Sequence, residues 1–161
     1  IEYRLVGPVS FFPFLWFLKF MALWLGVRMI WRGSLDPEGL AQEYQNADLF
    51  ALTSVPFMGR SEAFGFVYLE AGLFRLPLLG HKIGGVEDII VDGQTGFLCE
   101  VNQTKELSDR ILLLIKDADL RKRMGDLAHE RSKQFTWKRF VSEFYPRDAD
   151  LLFQMPKVSR E

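Results

Sequence analysis

Two glutamates, Glu62 and Glu70, stand eight positions apart with Phe64-Gly65-Phe66 between them. A pair of carboxylates acting as acid and base across one bond must lie roughly 5–10 Å apart. If both sat on one helix, the spacing would separate them by about 12 Å of rise and about 80° of turn. They suit an elongated ligand better, one that meets them in succession. A helix beginning at Phe64 or Gly65 leaves its first amides without internal partners, at the positive end of the helix dipole. A diphosphate fits such a place, and Gly65 lets the backbone come close to it. Glu62 could then accept hydrogen bonds from sugar hydroxyls on one side of the phosphates. Glu70, about 8 Å along the axis, could accept from both hydroxyls of a ribose. A purely structural reading stands beside this one: glutamates are common on helices, and Phe64, Val67, Tyr68 and Ala71 would make an ordinary buried face.

The elements that must position this segment alternate along the chain. Short apolar strands are expected at Ile1–Val6, Val27–Trp31, Asp48–Leu52, Leu76–Gly80 and Phe97–Cys99, each bounded by turn-forming residues. Between them run a helix opened by Pro37, the helix starting near Phe64 and a short helix at Val86–Val91. Asp92-Gly93 and Thr95-Gly96 read as turns. Two amphipathic helices follow, one with Leu107, Ile111, Leu114 and Ile115 on a single face, the other with Leu120, Met124, Leu127 and Ala128. A further helix is expected from Trp137 to before Pro146. This order predicts an α/β fold, a Rossmann-like parallel sheet with helices on both faces. Ligands of such sheets bind beyond the carboxyl ends of the strands, where Gly7, Gly33, Ser54 and Gly80 fall.

The run from Phe11 to Val27 is unusual. It carries five phenylalanines by Phe20, two tryptophans and one charge, Lys19. Pro13 and Lys19 interrupt it, no dense basic cluster flanks it, and Ser10, Lys19 and Arg28 do not share a helical face. Three readings stay open: a helix buried all round, an interfacial contact with lipid, and a membrane span.

Composition bounds the class. With 161 residues, 48% apolar and 25% charged, the chain has the make-up of one folded domain with a sizeable core. A net charge of −1 leaves no electrostatic footprint for nucleic acid. The single cysteine, Cys99, excludes an internal disulfide, fits a reducing compartment and reads as a buried, inert thiol. No metal site is expected from two histidines and one cysteine without ligand spacing. His81, after a strand, reads as a loop histidine with a possible ligand contact, His129 as solvated, and Trp137 as packing the last helix.

The ordered motifs carry a resemblance. Tyr44-Gln45-Asn46-Ala47-Asp48 through Ser54, Glu62-Ala63-Phe64-Gly65-Phe66 through Glu70-Ala71-Gly72, Leu76-Pro77-Leu78, Gly84-Gly85-Val86-Glu87-Asp88, Asp92-Gly93-Gln94-Thr95-Gly96-Phe97-Leu98 and Phe135-Thr136-Trp137 follow one another in a fixed sequence. Together they resemble the carboxyl-terminal half of a retaining GT-B glycosyltransferase of the "group 1" family, over residues 1 to about 145. The resemblance implies that Glu62 contacts the transferred sugar. It also implies that Phe64, Gly65 and Phe66 hold the diphosphate, that Glu70 holds the ribose, and that Gly84-Gly85 lies near the same cleft. It implies sugar transfer from a nucleoside diphosphate sugar with retention, with no cofactor and no bound metal. Gly72, Leu73 and Leu79-Gly80-His81 depart in small ways from the usual pattern.

From the same resemblance, residues 1–145 are expected to form a nucleotide-sugar-binding domain incomplete at its start, with 146–161 as a tail. The chain lacks an initiator methionine and opens on a strand, so it is expected to be a piece of a longer protein. The acceptor-binding amino-terminal domain would be a missing partner, together with the basic pair that neutralises the leaving diphosphate. Lys82, near a strand end, reads as a solvated lysine rather than a substitute. The parent is expected in the cytoplasm, at the inner face of a membrane if the aromatic helix touches lipid, and the piece alone is expected to be inactive. A non-catalytic module that binds membrane or a partner through residues 11–27 is the alternative.

Overall fold

The structure, a computed structural model, describes residues 1–8, 12–55, 65–136 and 139. Glu62, Phe64 and the helix expected near Trp137 lie outside them. The chain divides into two compact units, Ile1–Asn46 and Ala47–Glu161.

In the first unit the order is β1 (Glu2–Val6), α1 (Phe12–Trp24), β2 (Arg28–Gly33) and α2 (Pro37–Gln45). β1 and β2 pair in parallel, with Glu2 opposite Arg28 and Leu5 opposite Trp31, and a register shift follows at Val6. Helix α2 starts where its sequence says it should. The Asp36 carboxylate accepts from the Gly39 amide at 2.8 Å, and Pro37 fills the first turn, where a missing N–H costs nothing. Glu43 of α2 is buried and takes two arginines from the strands, Arg32 at 2.7 Å and Arg4 at 3.2 Å. A buried carboxylate needs such partners to stay charged.

Helix α1 corrects the expectation of a helix buried all round: Leu15 is its single buried residue, while Phe14, Trp16, Phe17, Phe20, Leu23 and Trp24 are exposed. Within this unit the sheet has two strands and offers α1 a narrow strip, where Phe12 meets the Trp31 ring edge-on at 6.0 Å. Lys19 lies 5.6 Å from the centre of the Trp16 ring, so even the one charge of the helix is spent on an aromatic face. No helix among the described residues is long and apolar enough to cross a membrane.

The second unit runs β3 (Phe50–Leu52), α3 (Phe66–Leu73), β4 (Leu78–His81), α4 (Val86–Ile89), β5 (Gly96–Cys99), α5 (Thr104–Lys116) and α6 (Ala118–Ser132). The strands form a parallel sheet in the order β3-β4-β5. Every residue of β4 and β5 is buried. This is the pattern of parallel strands covered on both faces. Register sets the two faces. Ala51, Leu79 and Phe97 align, and with Cys99 they pack against Leu114 of α5 and Met124 of α6. Phe50, Leu52 and Gly80 point the other way, toward Tyr68 of α3, whose ring meets Phe50 edge-on at 5.4 Å. The α/β class expected from the sequence is the one found.

Helix α6 departs from the expected face. Met124, Gly125, Ala128 and Ser132 are buried, whereas Leu127 is exposed. The reason is α3. A Cβ at Gly72 would come within 2.1 Å of Ser132 Oγ, and one at Gly125 within 1.9 Å of the Arg75 carbonyl oxygen. Two helices this close must meet through their smallest residues. Cys99 is fully buried, as its apolar setting implied, and burial raises its thiol pKa above the ordinary 9.0.

Candidate functional site

The carboxyl ends of β3, β4 and β5 and the start of α3 lie in the second unit, which also contains the described candidates Ser54, Gly65, Phe66, Glu70, Gly84 and Gly85. Gly65 is the residue before α3 and adopts the left-handed conformation, φ 74° and ψ 52°, with no side-chain cap. Such a backbone favours glycine. The Tyr68 amide donates to the Gly65 carbonyl at 2.9 Å, closing the first turn. Phe66 and Glu70, one helical turn apart, both face outward; Phe66 is 65% exposed. Tyr68, Leu69, Ala71 and Gly72 form the buried side. Gly65 itself is buried, and the face beyond it carries exposed Phe66 and the exposed Glu70 carboxylate, a group able to accept hydrogen bonds from vicinal hydroxyls.

Beneath this face the strand ends are tied together. The Tyr68 hydroxyl donates to the Leu52 carbonyl at 2.5 Å, at the last residue of β3. His81 is the last residue of β4 rather than part of a loop, and it is buried. Its Nδ1 lies 2.9 Å from the Ser54 carbonyl oxygen. A carbonyl only accepts, so this nitrogen carries a proton. Gly84 (φ 50°) and Gly85 lead from β4 into α4, Gly84 exposed and Gly85 half-buried. Lys82 pairs with Glu100 at 2.9 Å, and that hydrogen bond raises its pKa. Gly7 and Gly33 belong to the first unit, where the amide of Gly7, just past β1, donates to the carbonyl of Gly33, the last residue of β2, at 2.8 Å.

His129 is not simply solvated. Its Nδ1 lies 2.9 Å from the Leu73 carbonyl oxygen, so it donates to the end of α3, where a helix leaves carbonyls unpaired. The hydroxyl of Tyr68 and the ring of His81 also escaped the sequence reading. One signal was available: Gly80, a glycine inside a strand, marks a place where something large comes close. Among the described residues no cluster of three or more His, Cys, Asp or Glu is arranged to hold a metal ion.

An α/β unit of parallel strands, with a helix starting beyond the strand ends, defines a class of ligand-binding domain. The family profile described as glycosyl transferases group 1 matches residues 17–131, and the chain belongs to that family. N-acetyl-alpha-D-glucosaminyl L-malate synthase of Bacillus anthracis is 35% identical over 115 residues, which cover 70% of this chain and 30% of that protein. D-inositol 3-phosphate glycosyltransferase of Nocardia farcinica is 37% identical over 101 residues, covering 63% of this chain and 21% of that protein. The crystal structure of HepE of Anabaena in complex with UDP superposes with a TM-score of 0.75 at 26% identity, over 96% of this chain and 41% of that one. The chain therefore spans less than half the length of these relatives. Its fold is that of GT-B glycosyltransferases.

Proposed function

We propose that this chain forms the donor-binding part of a retaining glycosyltransferase that uses a nucleoside diphosphate sugar. The observation that carries the reading is the outward face of α3: Gly65 in a left-handed conformation at the helix start, then Phe66 and Glu70 one turn apart and exposed. In this assignment the Gly65 and Phe66 backbone, with that of Phe64, holds the diphosphate. Glu70 accepts from the ribose hydroxyls, and Glu62 contacts the sugar. Gly84, Gly85 and Ser54 line the surrounding cleft. HepE of Anabaena has been solved with UDP, with UDP and glucose, and with UDP-glucose, which supports a nucleotide-sugar ligand for this chain. The sugar's C1–O bond to the diphosphate breaks, the diphosphate departs with the bonding pair, and an acceptor hydroxyl oxygen bonds to C1 on the same anomeric face while its proton passes to the departing diphosphate. No cofactor or metal enters this scheme. The enzyme is placed in the cytoplasm, and a hexose is the expected sugar.

Donor titration tests the assignment. Glu70→Ala should raise the dissociation constant for the nucleotide sugar by about 10-fold or more, as loss of hydrogen bonds to a charged acceptor implies. An unchanged constant removes the ribose role. The isolated chain should bind donor weakly and turn nothing over; sustained transfer by these 161 residues alone would refute that. The alternative, a non-catalytic module that binds a membrane or partner through α1, is not favoured by the family match; its motive is the exposed aromatic side chains of that helix. Flotation with phospholipid vesicles tests the membrane form: a chain that stays with the soluble fraction does not bind lipid.

A further inference from the structure

We propose that Tyr68 and His81 are positioning residues that fix the ligand face of α3 by gripping the end of β3 from opposite faces of the sheet. The inference rests on the reading of that face as a nucleotide-diphosphate site. The β3–β4 ladder stops at Leu52 opposite Gly80. Just where it stops, two buried side chains donate to backbone carbonyls: Tyr68 to Leu52 at 2.5 Å, and His81 to Ser54 at 2.9 Å. Tyr68 comes from α3 on the Phe50–Gly80 face. His81 aligns with Cys99, on the face that carries Leu79. The exit of β3 is therefore held on both sides by side chains in place of a continuing ladder.

The grip reaches the ligand face directly. Tyr68 lies two residues after Phe66 and two before Glu70, so its hydroxyl sets how far the first turns of α3 stand from the strand ends. Gly80 makes the room: a Cβ there would lie 2.7 Å from the Tyr68 oxygen. His81 in turn holds the chain two residues beyond the carbonyl that Tyr68 uses, which keeps that acceptor in place. A misplaced helix start would shift the amides and the Glu70 carboxylate together, and a ligand that spans both would register the error.

The experiment measures UDP and GDP affinity by calorimetry in the protein, with the thermal midpoint of each variant alongside. Tyr68→Phe keeps the ring and removes the donor, and should weaken binding about fivefold at temperatures well below the transition, as loss of one neutral hydrogen bond implies. Gly80→Ala, which pushes the same hydroxyl aside, should do likewise. His81→Asn places an amide donor where Nδ1 stood and should retain affinity. His81→Gln places its amide where the other ring nitrogen stood and should lose affinity about as Tyr68→Phe does. A purely structural role would lower the midpoint without this difference between asparagine and glutamine. Retention by glutamine alone, by both or by neither overturns the role of His81. Wild-type affinity in Tyr68→Phe overturns that of Tyr68. Glu70→Ala separates the two levels of the argument. If it weakens binding while Tyr68→Phe does not, only the positioning inference falls; if neither nucleotide binds, or Glu70→Ala changes nothing, the reading of the face falls and takes the inference with it.

Discussion

Residues 1–46 and the unit that follows solve the same problem by different means. Among the described residues, the first unit buries three side chains, Leu15, Glu43 and Tyr44, and one of these is a carboxylate held by two arginines. The second buries an apolar cluster of Leu79, Phe97, Cys99, Leu114 and Met124 beneath α5 and α6. The contrast is sharpest between α1, apolar at all but one of its thirteen positions, and β4, only four residues long. The strand is wholly buried and the helix is mostly bare. Apolar sequence creates a demand for cover; whether the demand is met depends on how many elements surround it. A middle strand has a neighbour on each side and helices above and below. A helix on a two-stranded ribbon has one strip of contact.

This contrast can be broken by substitution. Leu79→Ala, at a fully buried site, should cost about 2–5 kcal/mol in a urea denaturation series. Glu43→Gln tests the polar interior of the first unit. Because Arg4 and Arg32 are themselves partly exposed, the expected loss is about 1 kcal/mol, and it should shrink in high salt. If Glu43→Gln equals Leu79→Ala, the carboxylate holds its unit together as strongly as the cluster does the other. Cys99 gives a smaller, pH-dependent effect. Burial raises its folded pKa, so its stabilising share is complete below the ordinary thiol value of 9.0 and is lost as pH rises through the folded value. Cys99→Ala should flatten that alkaline limb in melts taken from pH 8 to 11. Smallest of all, Leu23→Lys on the exposed side of α1 should change stability by less than about 0.5 kcal/mol. A loss of the size expected for Leu79→Ala would mean that this side is covered.

Much of the architecture was legible because it rests on local rules. Asp36-Pro37 starts α2, and short apolar runs become β1 to β5. Gly65 marks the beginning of α3. What stayed hidden depends on neighbours distant in the chain. Helical periodicity grouped Leu127 with Met124, but α6 turns Gly125 and Ser132 inward because α3 passes so close. His129 looked solvated because nothing nearby in sequence reveals the end of α3, 56 residues earlier, to which it donates. His81 looked like a loop residue because the strand runs one position further than its apolar residues do. For the candidate site, the exposed face with Phe66 and Glu70 followed from spacing along one helix. The ties that hold this face run to the carbonyls of Leu52, at the end of β3, and of Ser54, two residues beyond it.

The close approach of α6 to α3 at Gly72, and to the turn after α3 at Gly125, has a consequence for motion. Gly72 lets the Ser132 side chain lie directly against α3, and Gly125 lets α6 lie against the backbone of the turn after it, so a shift or fraying of one helix opens the other. Their amide hydrogens should therefore exchange with solvent as one group, with a common opening free energy, although some fifty residues separate the two glycines in the chain. A ligand seated on the outward side of α3 would slow exchange in α6, which it never touches.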